Sequence, residues 1–109
     1  MKEQGFARSV EEVGDAIAMS AARINRATHQ MIHDMVELDD RGGWAEAGAS
    51  SIVSWCSWRI GMSRSAAYEH LRVGRALADL PRIDRAMAEG LLSYSKVRAL
   101  TRVARSENE

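Results

Sequence analysis

The sequence predicts an all-α protein. Aromatic residues make up only 6% of the 109-residue chain, a single proline is present, and β-branched residues are scattered rather than clustered. Methionine, alanine, arginine and glutamate, which favour helices, are plentiful. No segment alternates between apolar and polar residues for long enough to form a strand. We therefore expect one domain of about five helices, with a long N-terminal amphipathic helix packed on a bundle that contains a helix-turn-helix-like corner.

The first predicted helix is about 30 residues long. Ser9 followed by Glu12 has the pattern of a capping box, in which each side chain satisfies a free backbone N–H. Apolar residues then recur every seven positions, and we call this set the seven-residue stripe: Val10, Ile17, Ile24, Met31 and Leu38. A seven-residue period also occurs in coiled coils. We expect the stripe to pack on the later helices of the same chain, with a homodimer or a partner protein as the alternative.

Four shorter helices are predicted over about residues 50–60, 63–79, 81–89 and 94–105, after a loop over 42–48. Ser63 and Ser93 are expected caps, and Pro81 suits a first helical position. The second predicted helix would bury most of its apolar side chains, including the ring of Trp58. Gly61 joins it tightly to the third, which is the outline of a helix-turn-helix. Any small bundle can turn a corner in the same way.

Two groups of basic residues are predicted to bind DNA. In the third predicted helix, Arg64, Tyr68, Arg72 and Arg75 share one face by their spacing. Arginine offers a planar fork of donors that suits phosphates and guanine edges, although an ordinary solvated face would show the same pattern. In the last predicted helix, Arg98, Arg102 and Arg105 share a side and could either bind phosphates or pair with acidic residues of the first helix.

The net charge of zero conceals an asymmetry between the two halves. Residues 1–48 hold five basic and nine acidic side chains, whereas residues 49–109 hold ten basic and six acidic ones. A basic half suggests an anionic partner for one surface. Attraction between the two halves of the chain would account equally well for the split.

No catalytic, metal or cofactor site is predicted. His29 and His33 have the spacing of a zinc-binding helix, but Gln30 replaces the glutamate of the zincin pattern and no third ligand follows. We therefore expect two surface histidines and no metal. Cys56 is the single cysteine and is expected to be a buried small hydrophobic residue. No apolar run is long enough to span a membrane, so we expect a cytoplasmic protein. Because no catalytic constellation is found, we expect that the protein is not an enzyme.

From Val36 onward the chain resembles the DUF222 (13E12-repeat) family. The resembling segments lie within residues 36–104, about two thirds of the chain: VELDDRGGW at 36–44, GASSIVSW at 48–55, GMSRSAAYEHLRVGRALADLP at 61–81 and AMAEGLLSYSKVRALTRVA at 86–104. The resemblance implies a cytoplasmic, all-helical domain, common in actinobacteria, that usually precedes an HNH-type nuclease domain. No HNH motif is found in these 109 residues, so the chain is expected to be a fragment or a shortened relative, without nuclease activity.

Two functions remain open from the sequence. The preferred hypothesis is a DNA-binding or targeting module of a nuclease-associated protein, which acts through the basic third helix. Residues 80–104 are also similar to the helical segment after the helix-turn-helix of ParB-type partition proteins, which favours DNA binding. The alternative is a non-catalytic interaction module that forms a homodimer or docks a partner through the seven-residue stripe.

Overall fold

The computed structural model describes residues 5–109, which form six helices and no strand. The all-α prediction is therefore confirmed. Within this range, none of the helices combines the length and the apolar composition that crossing a bilayer requires. The helices are α1 (Val10–Asp40), α2 (Gly43–Glu46), α3 (Ile52–Ile60), α4 (Arg64–Leu77), α5 (Pro81–Ala88) and α6 (Tyr94–Val103).

The helix boundaries follow from capping contacts that are local in sequence. At the start of α1, Ser9 Oγ accepts the N–H of Glu12 at 3.0 Å, and Glu12 Oε1 accepts the N–H of Ser9 at 2.7 Å. The predicted capping box is confirmed. Ser51 Oγ accepts the N–H of Ser54 at 3.0 Å, so that α3 starts two residues later than predicted. The predicted loop after α1 contains the single turn of α2.

A tight corner joins α3 to α4. Gly61 adopts a left-handed conformation with φ of 69°, which a glycine adopts without steric cost. The N–H groups of Gly61 and Met62 donate to the carbonyls of Ser57 and Cys56, and this closes the end of α3. Ser63 Oγ then accepts the N–H of Ala66 at 3.2 Å and starts α4. The helix-turn-helix-like corner is present, and as predicted Gly61 ends α3 and Ser63 caps α4.

The core consists of two apolar clusters that share α1 and α4. Trp58, which was expected to be buried, lies outside both and is 71% exposed. The first cluster joins α1 and α4 to the C-terminal helices through Ile32, Val73, Leu77, Leu80, Ile83, Met87 and Val97. The second joins them to α3 through Met35, Ile52, Val53, Cys56, Ala67 and Leu71.

Within residues 5–109, only the C-terminal part of the seven-residue stripe packs on the other helices. Met31 and Leu38 contact the second cluster. Val10, Ile17 and Ile24 are 79%, 66% and 64% exposed. The expectation that the whole stripe packs on later helices is wrong for this N-terminal part. Where α1 contacts the turn after α5, it does so through Asn25, which donates to the carbonyl of Gly90 at 3.1 Å, and Ile24 remains exposed. The radius of gyration is accordingly 17.6 Å, against about 13 Å for a compact chain of this length.

Candidate nucleic-acid interface

Three arginines converge on one carboxylate at the junction of α4 and α6. Arg72 Nε donates to Glu69 Oε1 at 2.9 Å within α4. From α6, Arg98 Nε and Arg102 Nη2 donate to Glu69 Oε2 at 2.7 and 2.6 Å. We call Arg72, Arg98, Arg102 and Glu69 the arginine cluster. It brings together residues that are up to 33 positions apart in the sequence.

The electrostatics of the arginine cluster favour a bound anion. The hydrogen bond from Arg72, followed by that from Arg98, holds the pKa of Glu69 far below its usual range. The carboxylate is therefore ionised, and three guanidinium charges against one carboxylate leave an excess of two positive charges. Arg98 and Arg102 are about half exposed. Their remaining N–H donors can reach a second anion, or a stronger one in place of the carboxylate.

A stacked pair of rings fixes α6 against α4 beside the arginine cluster. The rings of His70 and Tyr94 lie 4.3 Å apart and within 13° of parallel. His70 Nδ1 lies 2.6 Å from the carbonyl oxygen of Ala66. Burial, together with the nearby Glu69 carboxylate, raises the pKa of the Tyr94 hydroxyl. With Val97 buried below, this packing holds the α6 arginines in place over Glu69.

The other predicted DNA-binding residues are dispersed around this cluster. Arg75 pairs with the C-terminal end of α1, where its Nη1 donates to Asp40 Oδ1 at 3.1 Å and its Nη2 to Asp39. Arg64 and Tyr68 are exposed on the first two turns of α4. Arg105 lies beyond the end of α6, which stops two residues earlier than predicted. Of the seven predicted residues, the structure thus brings together Arg72, Arg98 and Arg102. Their role with DNA stays a prediction.

Sequence reasoning missed Glu69 as the group on which the arginines converge. The sequence left two partners open for Arg98 and Arg102, phosphates or acidic residues of the first helix. Within the chain, the structure pairs them with Glu69 of α4 rather than with acidic residues of α1. One signal was available, because Glu69 stands three residues before Arg72 and side chains at that spacing meet on a helix. The contribution of α6 could not be read from spacing.

The structure also brings a third polar side chain to the two histidines of α1. The Nε2 atoms of His29 and His33 lie 2.7 and 2.9 Å from Asp84 Oδ1, on the first turn of α5. Burial opposes ionisation of Asp84, but the hydrogen bonds with His33 and His29 outweigh it and lower its pKa. The expectation of two surface histidines is wrong for His29, which is only 12% exposed. Asp84 was missed because it lies 55 residues away in the sequence.

Comparison with known proteins gives a family and no activity. No curated protein and no solved structure matches the chain. The similarity to partition proteins is therefore not supported by a match to a solved structure. One family model matches residues 11–107, and its description is "Domain of unknown function (DUF222)". The match spans all six helices and nearly the whole chain. The chain therefore belongs to the DUF222 family.

Proposed function

We propose that this domain is a DNA-binding module that holds the phosphate backbone of a duplex at the arginine cluster. The observation that supports it is the convergence of Arg72, Arg98 and Arg102 on one carboxylate. Like the carboxylate, a phosphate presents charged oxygens that accept hydrogen bonds from guanidinium groups. Its negative charge can neutralise arginine charge that Glu69 leaves unbalanced. A duplex phosphate would thus bind to the α6 arginines, or replace Glu69 between all three.

The corner between α3 and α4 supplies the second part of the proposal. In helix-turn-helix proteins, the N-terminal residues of the second helix contact base edges. Here Arg64 and Tyr68 occupy this end of α4 and are exposed. Contacts between the arginine cluster and the phosphate backbone of the DNA would orient α4. Arg64 and Tyr68 would then reach into a groove of the duplex. The module itself is proposed to be non-catalytic and cytoplasmic, and its association with a nuclease rests on the family resemblance.

Loss of two arginines should weaken binding to a duplex. For Arg72→Ala/Arg98→Ala we expect an affinity roughly 10- to 100-fold lower than wild type, which corresponds to a loss of about 1.4–2.7 kcal/mol of binding free energy for the two arginines together. The slope of log affinity against log salt should fall by about one for each lost phosphate contact. Fluorescence anisotropy with a labelled random-sequence duplex measures both quantities.

The matched control removes the same charge elsewhere. Arg82 and Arg85 are exposed on α5, away from the cluster, so Arg82→Ala/Arg85→Ala changes net charge equally. We expect this control to lose clearly less affinity. Equal losses for the two double variants would contradict the proposed site, and a folded wild-type protein that binds no duplex at low salt would contradict the function.

A second candidate function, self-association, is favoured by the exposed N-terminal part of the seven-residue stripe. A groove lined by Arg8, Val13, Ala16, Ile17, Ser20, Ala21 and Ile24 runs along this part of α1. Its apolar side chains are covered by nothing within residues 5–109. An exposed apolar face of this kind is typical of an interaction surface.

The residue order on α1 favours a second copy of the same chain as the occupant. An antiparallel pair with its two-fold axis at Ile17 places Val10 of one copy opposite Ile24 of the other. An isologous dimer requires this self-complementarity.

Charge at the centre of the stripe should abolish such a dimer. We expect the wild-type chain to approach twice its monomer mass at high concentration in light scattering after size exclusion, and Ile17→Glu to remain monomeric because it buries a charge at the two-fold axis. Met19→Glu is the control, since Met19 is also exposed but lies on the opposite face of α1. A monomeric wild type, or a dimer that survives Ile17→Glu, would contradict self-association through this stripe.

A further inference from the structure

The two histidines of α1 and Asp84 of α5 have the composition of a metal site. His29 and His33 are one helical turn apart, and their rings lie 4.3 Å from each other, tilted by 42°. One potential ligand atom from each residue, a ring nitrogen of each histidine and a carboxylate oxygen, lies within 4.8 Å of the other two. Two imidazoles and one carboxylate, held by two helices, are a donor set of transition-metal sites in proteins.

The distances are compatible with an ion between the three groups. In a tetrahedral zinc site with bonds of about 2.0–2.2 Å, neighbouring ligand atoms lie roughly 3.3–3.5 Å apart. Here the two Nε2 atoms lie 2.7 and 2.9 Å from Asp84 Oδ1, as hydrogen-bonded groups do. Each pair would therefore open by about 0.5 Å, which small side-chain rotations supply. The ion would replace the two hydrogen bonds between the imidazoles and the carboxylate.

The two histidine ligands differ in their exposure to solvent. His29 is 12% exposed and is anchored where α1 packs on α5, whereas His33 is 47% exposed. The site therefore has a fixed inner side and an outer side that an ion can enter from solvent. Three protein ligands would leave at least one coordination position for water.

We propose that His29, His33 and Asp84 bind a divalent transition-metal ion of the Zn²⁺ type, which links α1 to α5. This inference does not depend on DNA binding. An ion that binds the folded chain shifts the unfolding equilibrium by mass action, so that it stabilises the contact between the two helices. The two imidazole donors should select Zn²⁺ or Co²⁺ over Mg²⁺ and Ca²⁺, which prefer all-oxygen sites.

Calorimetric titration of the full chain, produced without a histidine tag and treated with chelator, tests the proposal. We expect one equivalent of Zn²⁺ to bind and the melting temperature to rise with Zn²⁺ but not with Mg²⁺ or Ca²⁺. Asp84→Asn and His33→Ala should each weaken Zn²⁺ binding at least about 100-fold, because each removes a direct ligand. His33 is the exposed ligand, so His33→Ala is expected to leave the fold intact, as circular dichroism will show.

The control is His70→Gln, which removes the one histidine outside the site and should leave Zn²⁺ affinity unchanged. Co²⁺ should give visible absorption bands in wild type that both ligand variants lose. Absence of Zn²⁺ binding to the wild-type chain would overturn the proposal. So would unchanged Zn²⁺ affinity in the two folded ligand variants, or an equal response to Mg²⁺.

Discussion

Replacement of Ile32 by alanine is expected to lower the free energy of unfolding by about 2–5 kcal/mol, the range typical of a buried isoleucine truncated to alanine. Ile32 is fully buried, in the cluster that joins α1 and α4 to α5 and α6. Because neighbouring side chains come from several helices, they cannot all move into the space that the smaller side chain leaves. Urea denaturation followed by circular dichroism measures the loss.

Ile60→Ala is the matched control for Ile32→Ala. It makes the same chemical change at the end of α3, where the side chain is about half exposed. We expect it to cost roughly 0.5 kcal/mol or less, since exposed substitutions away from special contacts have small effects. Similar losses for the two variants would mean that the contact of α1 with the C-terminal helices does not stabilise the fold as described.

Substitution of Gly74 by alanine is expected to destabilise the protein, although alanine normally favours a helix. A Cβ at this position would lie 2.7 Å from Ile32 Cγ2 and 2.7 Å from Val36 Cγ2, so α1 and α4 would have to move apart. Overpacking of this kind costs about 1–3 kcal/mol, against a helix-propensity gain of about 1 kcal/mol. We expect a net loss of up to about 2 kcal/mol in chemical denaturation.

Gly14→Ala is expected to change the stability in the opposite direction in the same experiment. Gly14 also lies inside a helix, but a Cβ there would have no other atom within 4 Å. Only the propensity effect remains, so Gly14→Ala should stabilise the chain by about 0.5–1 kcal/mol. Stabilisation by both substitutions would contradict the close approach of α1 and α4 at Gly74.

The sequence predicts the helices well because their boundaries depend on neighbouring residues. The caps of Ser9, Ser63 and Ser93 each accept an N–H three residues ahead, and Gly61 ends a helix through its own backbone conformation. These contacts need no knowledge of the tertiary fold. Errors of a few residues arise where a neighbouring residue caps instead, as Ser51 does for α3.

The candidate sites could be predicted only in part, since their partners are distant in sequence. The spacing of Arg98 and Arg102 gives a shared side but does not identify Glu69 as their acceptor. Likewise, His29 and His33 show a common face, whereas Asp84 reaches them only through the packing of α5 on α1. Helical periodicity reports which residues share a face, and not which element covers it.

The same limit applies to the seven-residue stripe. A continuous apolar period predicts a buried face along all of α1, and burial occurs from about Met31 onward. Towards the N-terminus the same pattern continues on an exposed surface. A partner outside the described chain would bury it in the same way as the chain's own helices would, so periodicity alone could not separate the two cases.

The central proposal is that the arginine cluster binds a duplex phosphate, and Glu69 gives its most direct test. Glu69 now occupies several of the guanidinium donors that a phosphate could use. Glu69→Gln removes the negative charge while keeping the size of the side chain. If the arginines bind DNA, this variant should bind roughly 3- to 10-fold more tightly at low salt, with a steeper salt dependence, because more guanidinium charge becomes available to phosphates.

The decisive measurement is therefore duplex affinity across a salt series for wild type and Glu69→Gln, with circular dichroism to confirm that both are folded. We expect tighter binding and a steeper slope for Glu69→Gln. Equal or weaker binding by the folded variant would contradict it, and would identify the arginine cluster as an internal ion-pair network that joins α4 to α6.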